Sequence, residues 1–253
     1  MTAPEPTLHV ERCDGVVVLT LDDEARRNAL SAPMVDAIVA AVDAAEADEA
    51  VGALVVTGRP PAFCSGADTS SLRALGDGPS AAGSVRSIYD GFLRVRDCAL
   101  PTLAAVNGPA VGAGFNLALC CDVRLAAESA RFDSRFATIG LHPGGGHTWM
   151  LDRAVGPQAA AALALFGASV DGRRAAELGL AWACVPDAEL LDAAVAFAAP
   201  AGALPRALTR SVKASLRETP GLAFEAAVTL ELERQAASLQ AGWVAERLAA
   251  RRR

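Results

Sequence analysis

Short apolar runs rich in β-branched residues alternate with amphipathic stretches through the first half of the chain, and this alternation restricts it to an α/β architecture. "GVVVLTL" (15–21), "GALVVTG" (52–58), "TLAAVNG" (102–108) and "DVRLAAES" (122–129) read as strands. The second of these is short and apolar enough for a buried place in a parallel sheet. Between the first two, "SAPMVDAIVAAVDAAEAD" (31–48) reads as an amphipathic helix, with Ser31 at its N-cap and Pro33 in its first turn. The segment from Arg59 to Pro79 is rich in Gly, Ser and Pro and reads as a long loop, followed by a helix over Val85–Cys98. From Trp149 on the pattern is helical, broken at "GASVDG", "GLAWACVP" and "AGALP". Strands come early and helices dominate late, so the expected fold is α/β with a helical C-terminal part.

Composition removes several classes of partner. With 253 residues, 52% of them hydrophobic, the chain can bury a full core in one domain or one domain plus a short appendage. Its net charge of −6 and the lack of a basic stripe argue against nucleic acid. The terminal Arg251–Arg252–Arg253 reads as a solvated tail. No apolar stretch approaches the roughly 20 residues that span a bilayer, and "MTAPEPTLHV" lacks the charged-then-apolar pattern of a secretion signal. Neither membrane nor export is expected. The cysteines at 13, 64, 98, 120, 121 and 184 form no C-x-x-C pair, which fits buried thiols in a reducing cytoplasm. The histidines at 9, 142 and 147 show no ligand spacing with them, so no metal is expected.

The stretch "GPAVGAGFNLALCCD" (108–122) sets glycines directly before an apolar run. A helix starting there points free N–H groups outward, where they hold negative charge. It is half of a dinucleotide fingerprint, with Gly112 and Gly114 in place but Leu117 where the third glycine belongs. No G-K-[ST], G-x-S-x-G or H-E-x-x-H occurs. A second loop, "FCSGADTSSL" (63–72), follows the strand at 52–58. Neighbouring parallel strands would bring the C-terminal ends of both together, where ligands bind in such sheets. Two backbone N–H groups converging on one oxygen make an oxyanion hole, in which one donor is typically worth about 3–4 kcal/mol. Tight turns account for either loop alone; the two together point to a site.

These residues resemble the crotonase superfamily, the enoyl-CoA hydratase/isomerase family. The likeness is carried by "RRNALS" (26–31), "AFCSGADTSSL" (62–72), "PTLAAVNGPAVGAGFNLALCCDVRLAAESARF" (101–132), "IGLHPGGGHTWMLDRAVG" (139–156) and "ASVDGRRAAELGLAWACVPD" (168–187). The resemblance implies an α/β fold, a crotonase-like spiral of ββα units over 1–190 and a helical C-terminal trimerisation region over 191–253. It implies a homotrimer or a dimer of trimers. It also implies coenzyme A as part of an acyl-CoA substrate, with no tightly bound cofactor. The thioester oxygen would lie between the N–H groups of Ala67 and Ala113, the second often Gly in the family. Coenzyme A would lie along Arg26, Arg27 and Ala29 on one side and Ser65, Ala67, Asp68 and Thr69 on the other. Phe136, Pro143 and Gly144 would border the acyl group.

The chain departs from the family where the chemistry is done. The family's hydratases add water with two glutamates, whose positions fall at Asn116 and Phe136; other members use an aspartate that falls near Gly144. An amide takes no proton at neutral pH and a phenyl ring takes none at all. Ordinary hydration is therefore not expected. His142 and His147, flanking three glycines, are the candidate replacements, or else a loop contact and a helix cap. Asp133 and Asp68 read as readily as surface and turn-bracing carboxylates. Tyr89, Phe63, Phe92, Trp149 and Phe166 are pocket or core candidates. Three functions follow in order: an acyl-CoA enzyme, lyase or isomerase, with displaced acid/base groups; a non-catalytic acyl-CoA-binding protein; and a hydrolase cutting a C–C bond in a diketone without coenzyme A.

Overall fold

Alternating β-branched residues build the first hairpin, Thr7–Cys13 (β1) against Val16–Asp22 (β2), which turns at Asp14 and Gly15, both at positive φ. The computed structural model describes residues 7–68 and 81–250. Thr69, most of the expected loop, and the Arg251–Arg253 tail lie outside the described residues. Beyond the hairpin the larger sheet is parallel: Ala53–Gly58 (β3), Thr102–Val106 (β4), Val123–Ala127 (β6) and Ala183–Val185 (β9) join in the order β1-β2-β3-β4-β6-β9. β3 and β4 are buried along their whole length, as their mostly apolar sequences allow, and the buried Thr57 hydroxyl donates to the Ala105 carbonyl at 2.9 Å.

A second, three-stranded sheet lies one step further along each turn of chain. Pro109–Val111 (β5) follows β4 through Asn107 and Gly108, and Arg131–Asp133 (β7) follows β6; β5 and β7 pair in parallel, and Ser169–Asp171 (β8) adds antiparallel. Lone parallel bridges Leu30↔Ala67 and Cys64↔Ala110 repeat this second layer in the earlier turns. The chain thus winds strand, short strand, helix. The helices are Ala32–Ala47 (α1), Ala81–Asp97 (α2), Ala113–Cys120 (α3), His147–Ala164 (α4), Gly172–Glu177 (α5), Leu190–Gly202 (α6), Arg206–Glu218 (α7), Phe224–Gln240 (α8) and Trp243–Ala250 (α9). α1 buries Met34, Val35, Ile38, Val42 and Ala45, one stripe of its surface. α3 is apolar nearly all round and is buried at every residue.

Several expectations shift. Ser31 stands at the N-cap of α1 in extended backbone, but its Oγ makes no cap bond and is buried with no partner among the described residues. α2 begins at Ala81 rather than Val85, where two alanines favour helix. The sequence reading divides the chain at 190/191. α6, almost wholly beyond that division, packs on β2, β3 and β4. Lys213 on α7 is buried; its Nζ donates to the Leu100 carbonyl at 2.6 Å and lies 2.6 Å from Asp122 Oδ2, tying α7 to the start of β4. Of the aromatic candidates, Phe63 and Phe92 are core, whereas Trp149 and Phe166 are 53% and 83% exposed. Among the described residues no single helix is long and apolar enough to cross a membrane.

Candidate active site

Three backbone segments meet at the C-terminal ends of β3 and β4. Asn28 is fully buried; its Nδ2 donates to the carbonyls of Arg59 (2.8 Å) and Ala62 (2.7 Å), fixing residues 26–30 against the loop that leaves β3. Ser65 then donates from N to the Arg27 carbonyl (3.0 Å) and from Oγ to that of Arg26 (2.7 Å), and Leu30 N donates to Gly66 O (2.8 Å). On the other side Cys64 N donates to Pro109 O (3.1 Å) and Val111 N to Cys64 O (3.0 Å). Segments 26–30, 62–67 and 109–113 therefore lie edge to edge.

Two glycines set how closely they approach. Gly66 has φ +102°, and a Cβ there would lie 2.6 Å from Val111 O and 3.5 Å from the Ala113 nitrogen. A Cβ on Gly114 would lie 2.1 Å from Cys64 O. No side chain fits either space. Ala67 follows Gly66, and Ala113 opens α3, so the two alanines predicted to act together occupy abutting segments. Among the described residues neither amide N–H has an acceptor. The Ala113 amide also carries the positive end of the α3 dipole, typically worth 0.3–1 kcal/mol to an anion.

Behind this lies a closed chain of hydrogen bonds. Asn116, one turn along α3, is 1% exposed and His147 fully buried. Asn116 Nδ2 donates to Gly144 O (2.9 Å), so its Oδ1 faces His147 Nδ1 (2.7 Å), and His147 Nε2 faces Ser134 Oγ (2.7 Å). An amide oxygen only accepts, so Nδ1 carries the proton and Nε2 accepts from the serine hydroxyl. Phe115 and Phe136 pack on the ring at 5.3 and 5.1 Å between centroids. Burial pushes the imidazole down to about 4, and it is neutral. Gly145, at φ +65°, lets the loop pass where a Cβ would be 2.5 Å from Phe92 and 3.1 Å from Asn116 Nδ2.

The structure brings some predicted residues together and separates others. Ala67, Ala113 and Asn116 form one cluster with Phe136, whose Cζ lies 3.8 Å from the place of a Cβ on Gly112. Arg26, Arg27, Ala29, Ser65 and Asp68 line the two adjoining segments; Arg26 pairs with Asp23 at 3.1 Å. His142 is exposed, donates from Nδ1 to Pro143 O (2.7 Å), and borders an open cavity of about 620 Å³ with Leu141, Pro143 and Leu165. That cavity's lining includes neither Ala113 nor Asn116. Acid/base work by His147 does not fit this placement, because both nitrogens of its ring are bonded inside the core. Asp133 pairs with Arg135 at 3.1 Å, and its carbonyl accepts from Gly112 N. Burial pushes the Cys64 thiol up to about 12, which removes it as a nucleophile. Sequence reasoning gave Ser134 no role, since no local pattern joins it to His147, 13 positions away.

The model of the enoyl-CoA hydratase/isomerase family matches residues 11–244. A probable enoyl-CoA hydratase of Mycobacterium tuberculosis is 49% identical over 241 residues, 93% of this chain and 93% of that one. The crystal structure of an enoyl-CoA hydratase from Polaromonas superposes with a TM-score of 0.91 at 29% identity, covering 96% of this chain and 95% of the other. A putative enoyl-CoA hydratase from Thermobifida fusca in complex with CoA gives 0.82 at 32% identity, covering 92% and 93%.

Proposed function

The chain belongs to the enoyl-CoA hydratase/isomerase family, and from that premise we propose that it is an enzyme acting on an acyl-CoA thioester through an enolate-like intermediate. The observation that carries this reading is the close packing of segments 64–67 and 111–114, which leaves the amides of Ala67 and Ala113 without acceptors among the described residues. As the thioester oxygen gains charge, both N–H groups strengthen their hydrogen bonds to it. Fixed donors need no reorganisation at that moment, which is why such holes act on the transition state. Coenzyme A lies along Arg26, Arg27, Ala29, Ser65, Ala67, Asp68 and Thr69, with the acyl group toward Phe136, Pro143 and Gly144. The neutral Ser134–His147–Asn116 chain positions the Gly144 loop and exchanges no proton with the substrate.

Neither Asn116, Phe136 nor Gly144 supplies a carboxylate, so two-carboxylate hydration is not the reaction. The test is a panel of enoyl-CoA and 3-oxoacyl-CoA thioesters, followed for binding by calorimetry and for turnover. Saturable binding with turnover is the expected result, and an absence of saturable binding overturns the reading. Binding without any turnover selects the second reading, an acyl-CoA-binding protein, which the full occupation of Asn116 and His147 by internal bonds favours.

Exposed aromatic side chains support self-association as a homotrimer or a dimer of trimers. Phe166 is 83%, Phe224 78% and Trp182 72% exposed, more apolar surface than an isolated chain normally shows. Light scattering is expected to give a multiple of three 25.9 kDa chains; the mass of one chain contradicts it.

A further inference from the structure

Tyr89 is the single tyrosine of the chain and lies on α2. Its ring packs 5.4 Å from that of the fully buried Phe92, and the residue is half-buried. Among the described residues its hydroxyl has no hydrogen-bond partner. That hydroxyl rests directly on Gly144: a Cβ at 144 would lie 2.1 Å from Tyr89 Oη and 3.2 Å from Cζ. The Gly144 carbonyl is held by Asn116 Nδ2 at 2.9 Å. Asn116 stands three residues after Ala113 on α3, and such residues share a helix face. A phenol thus reaches the space that a side chain at 144 would fill, on the loop that Asn116 ties to the helix opened by Ala113. Asn116, Phe136 and Gly144 stand where the resemblance places carboxylates, and His147 has both ring nitrogens bonded in the core.

We propose that the Tyr89 hydroxyl is the proton carrier of this site, exchanging a proton with the carbon beside the thioester carbonyl. The proposal rests on the acyl-CoA reading above. In the forward step the Tyr89 O–H bond breaks and a C–H bond forms at the α carbon. The enolate's C=C pair makes that bond, the C=O re-forms, and the phenolate left behind takes a proton from water. In reverse, the phenolate removes the α proton and the electron pair passes to the oxygen held by Ala67 and Ala113. Nothing is oxidised or reduced. A phenol is a weak acid and holds its proton unless a base takes it. Return of a proton to an enolate is therefore favoured over its removal. That direction suits thioesters whose enolate arises by departure of a group other than a proton.

The test is exchange of the α protons of butyryl-CoA in D2O, followed by mass spectrometry for the full chain and the variants Tyr89→Phe and Gly144→Ala. Binding is measured in parallel by calorimetry, and exchange by free butyryl-CoA is subtracted. Phenylalanine keeps the ring contact with Phe92 and deletes one oxygen; alanine at 144 keeps every polar group and displaces Oη. The wild type is expected to exchange faster as pH rises, because the phenolate is the base of the reverse step. Both variants are expected to lose at least about 100-fold of that rate and its pH dependence, and Tyr89→Phe to do so with binding kept. Exchange retained by either variant, an unchanged pH profile, or wild-type binding without exchange overturns the role of Tyr89. Absence of butyryl-CoA binding by the wild type instead overturns the acyl-CoA reading beneath it.

Discussion

Gly114→Ala is expected to lower acyl-CoA turnover by about 10²–10³-fold, the typical effect of losing one oxyanion donor. The added methyl would lie 2.1 Å from the oxygen and 2.7 Å from the carbon of the Cys64 carbonyl. Those are backbone atoms held by ladder bonds on both sides, Cys64 N to Pro109 O and Val111 N to Cys64 O, so they cannot rotate away. The start of α3 has to retreat instead, and Ala113 retreats with it. Donors act at about 2.7–3.1 Å from the oxyanion, so a shift of an ångström removes most of the effect. Overpacking at such a site also costs about 1–3 kcal/mol of stability. The split between kcat and KM, with a melting curve, separates the two consequences. Gly221→Ala, where a Cβ meets nothing within 4 Å, serves as the control. Unchanged kcat in Gly114→Ala would show that the junction of these segments is not where the reaction is stabilised.

The second large effect is on stability against pH. His147 is fully buried among Phe115, Phe136, Asn116 and Ser134, and burial holds it at about 4. In the unfolded chain a histidine titrates near 6.5. Between these values the unfolded state binds a proton that the folded state refuses, so acid favours unfolding. The contribution is intact above about pH 6.5 and is lost progressively as pH falls toward 4, reaching about 3 kcal/mol at about 1.4 kcal/mol per pH unit. Carboxylates such as Asp22, held low by its hydrogen bond with His9 and its ion pair with Arg59, add their own acid sensitivity in the wild type. The informative quantity is therefore the difference between wild type and His147→Gln, from denaturant unfolding at several pH values. Near pH 7 the variant is less stable by about 1–3 kcal/mol, for disturbed buried hydrogen bonds. That gap is expected to close or invert as pH approaches 4. A gap constant from pH 7 to 4 would mean that the ring is not buried as a neutral imidazole.

What the sequence reveals here follows from the range of the forces involved. β2, β3 and β4 are legible because a buried parallel strand must be apolar along its length, and β-branched runs say so directly. β5, β7, β8 and β9 have three residues each and leave no periodicity to read; their pairing is settled by partners far along the chain. Ser31 looks like a helix cap and stands where a cap should, yet its hydroxyl is unbonded. Gly66 and Gly114 announce that two backbones approach closely, but not which ones. Asn116 and His147 are both visible as candidates, and nothing local shows that they bond to one another across 31 positions. That one contact makes the two side chains a brace. The same blindness to distant contacts hides Tyr89, whose hydroxyl acquires meaning only when Gly144 is seen beneath it.

A crystal structure of the chain with a CoA thioester bound bears most directly on where negative charge is held. The thioester oxygen is expected within about 2.7–3.1 Å of the nitrogens of both Ala67 and Ala113. An oxygen bound by only one of them, or turned toward solvent with both amides idle, would contradict the assignment of these two backbones to the reaction.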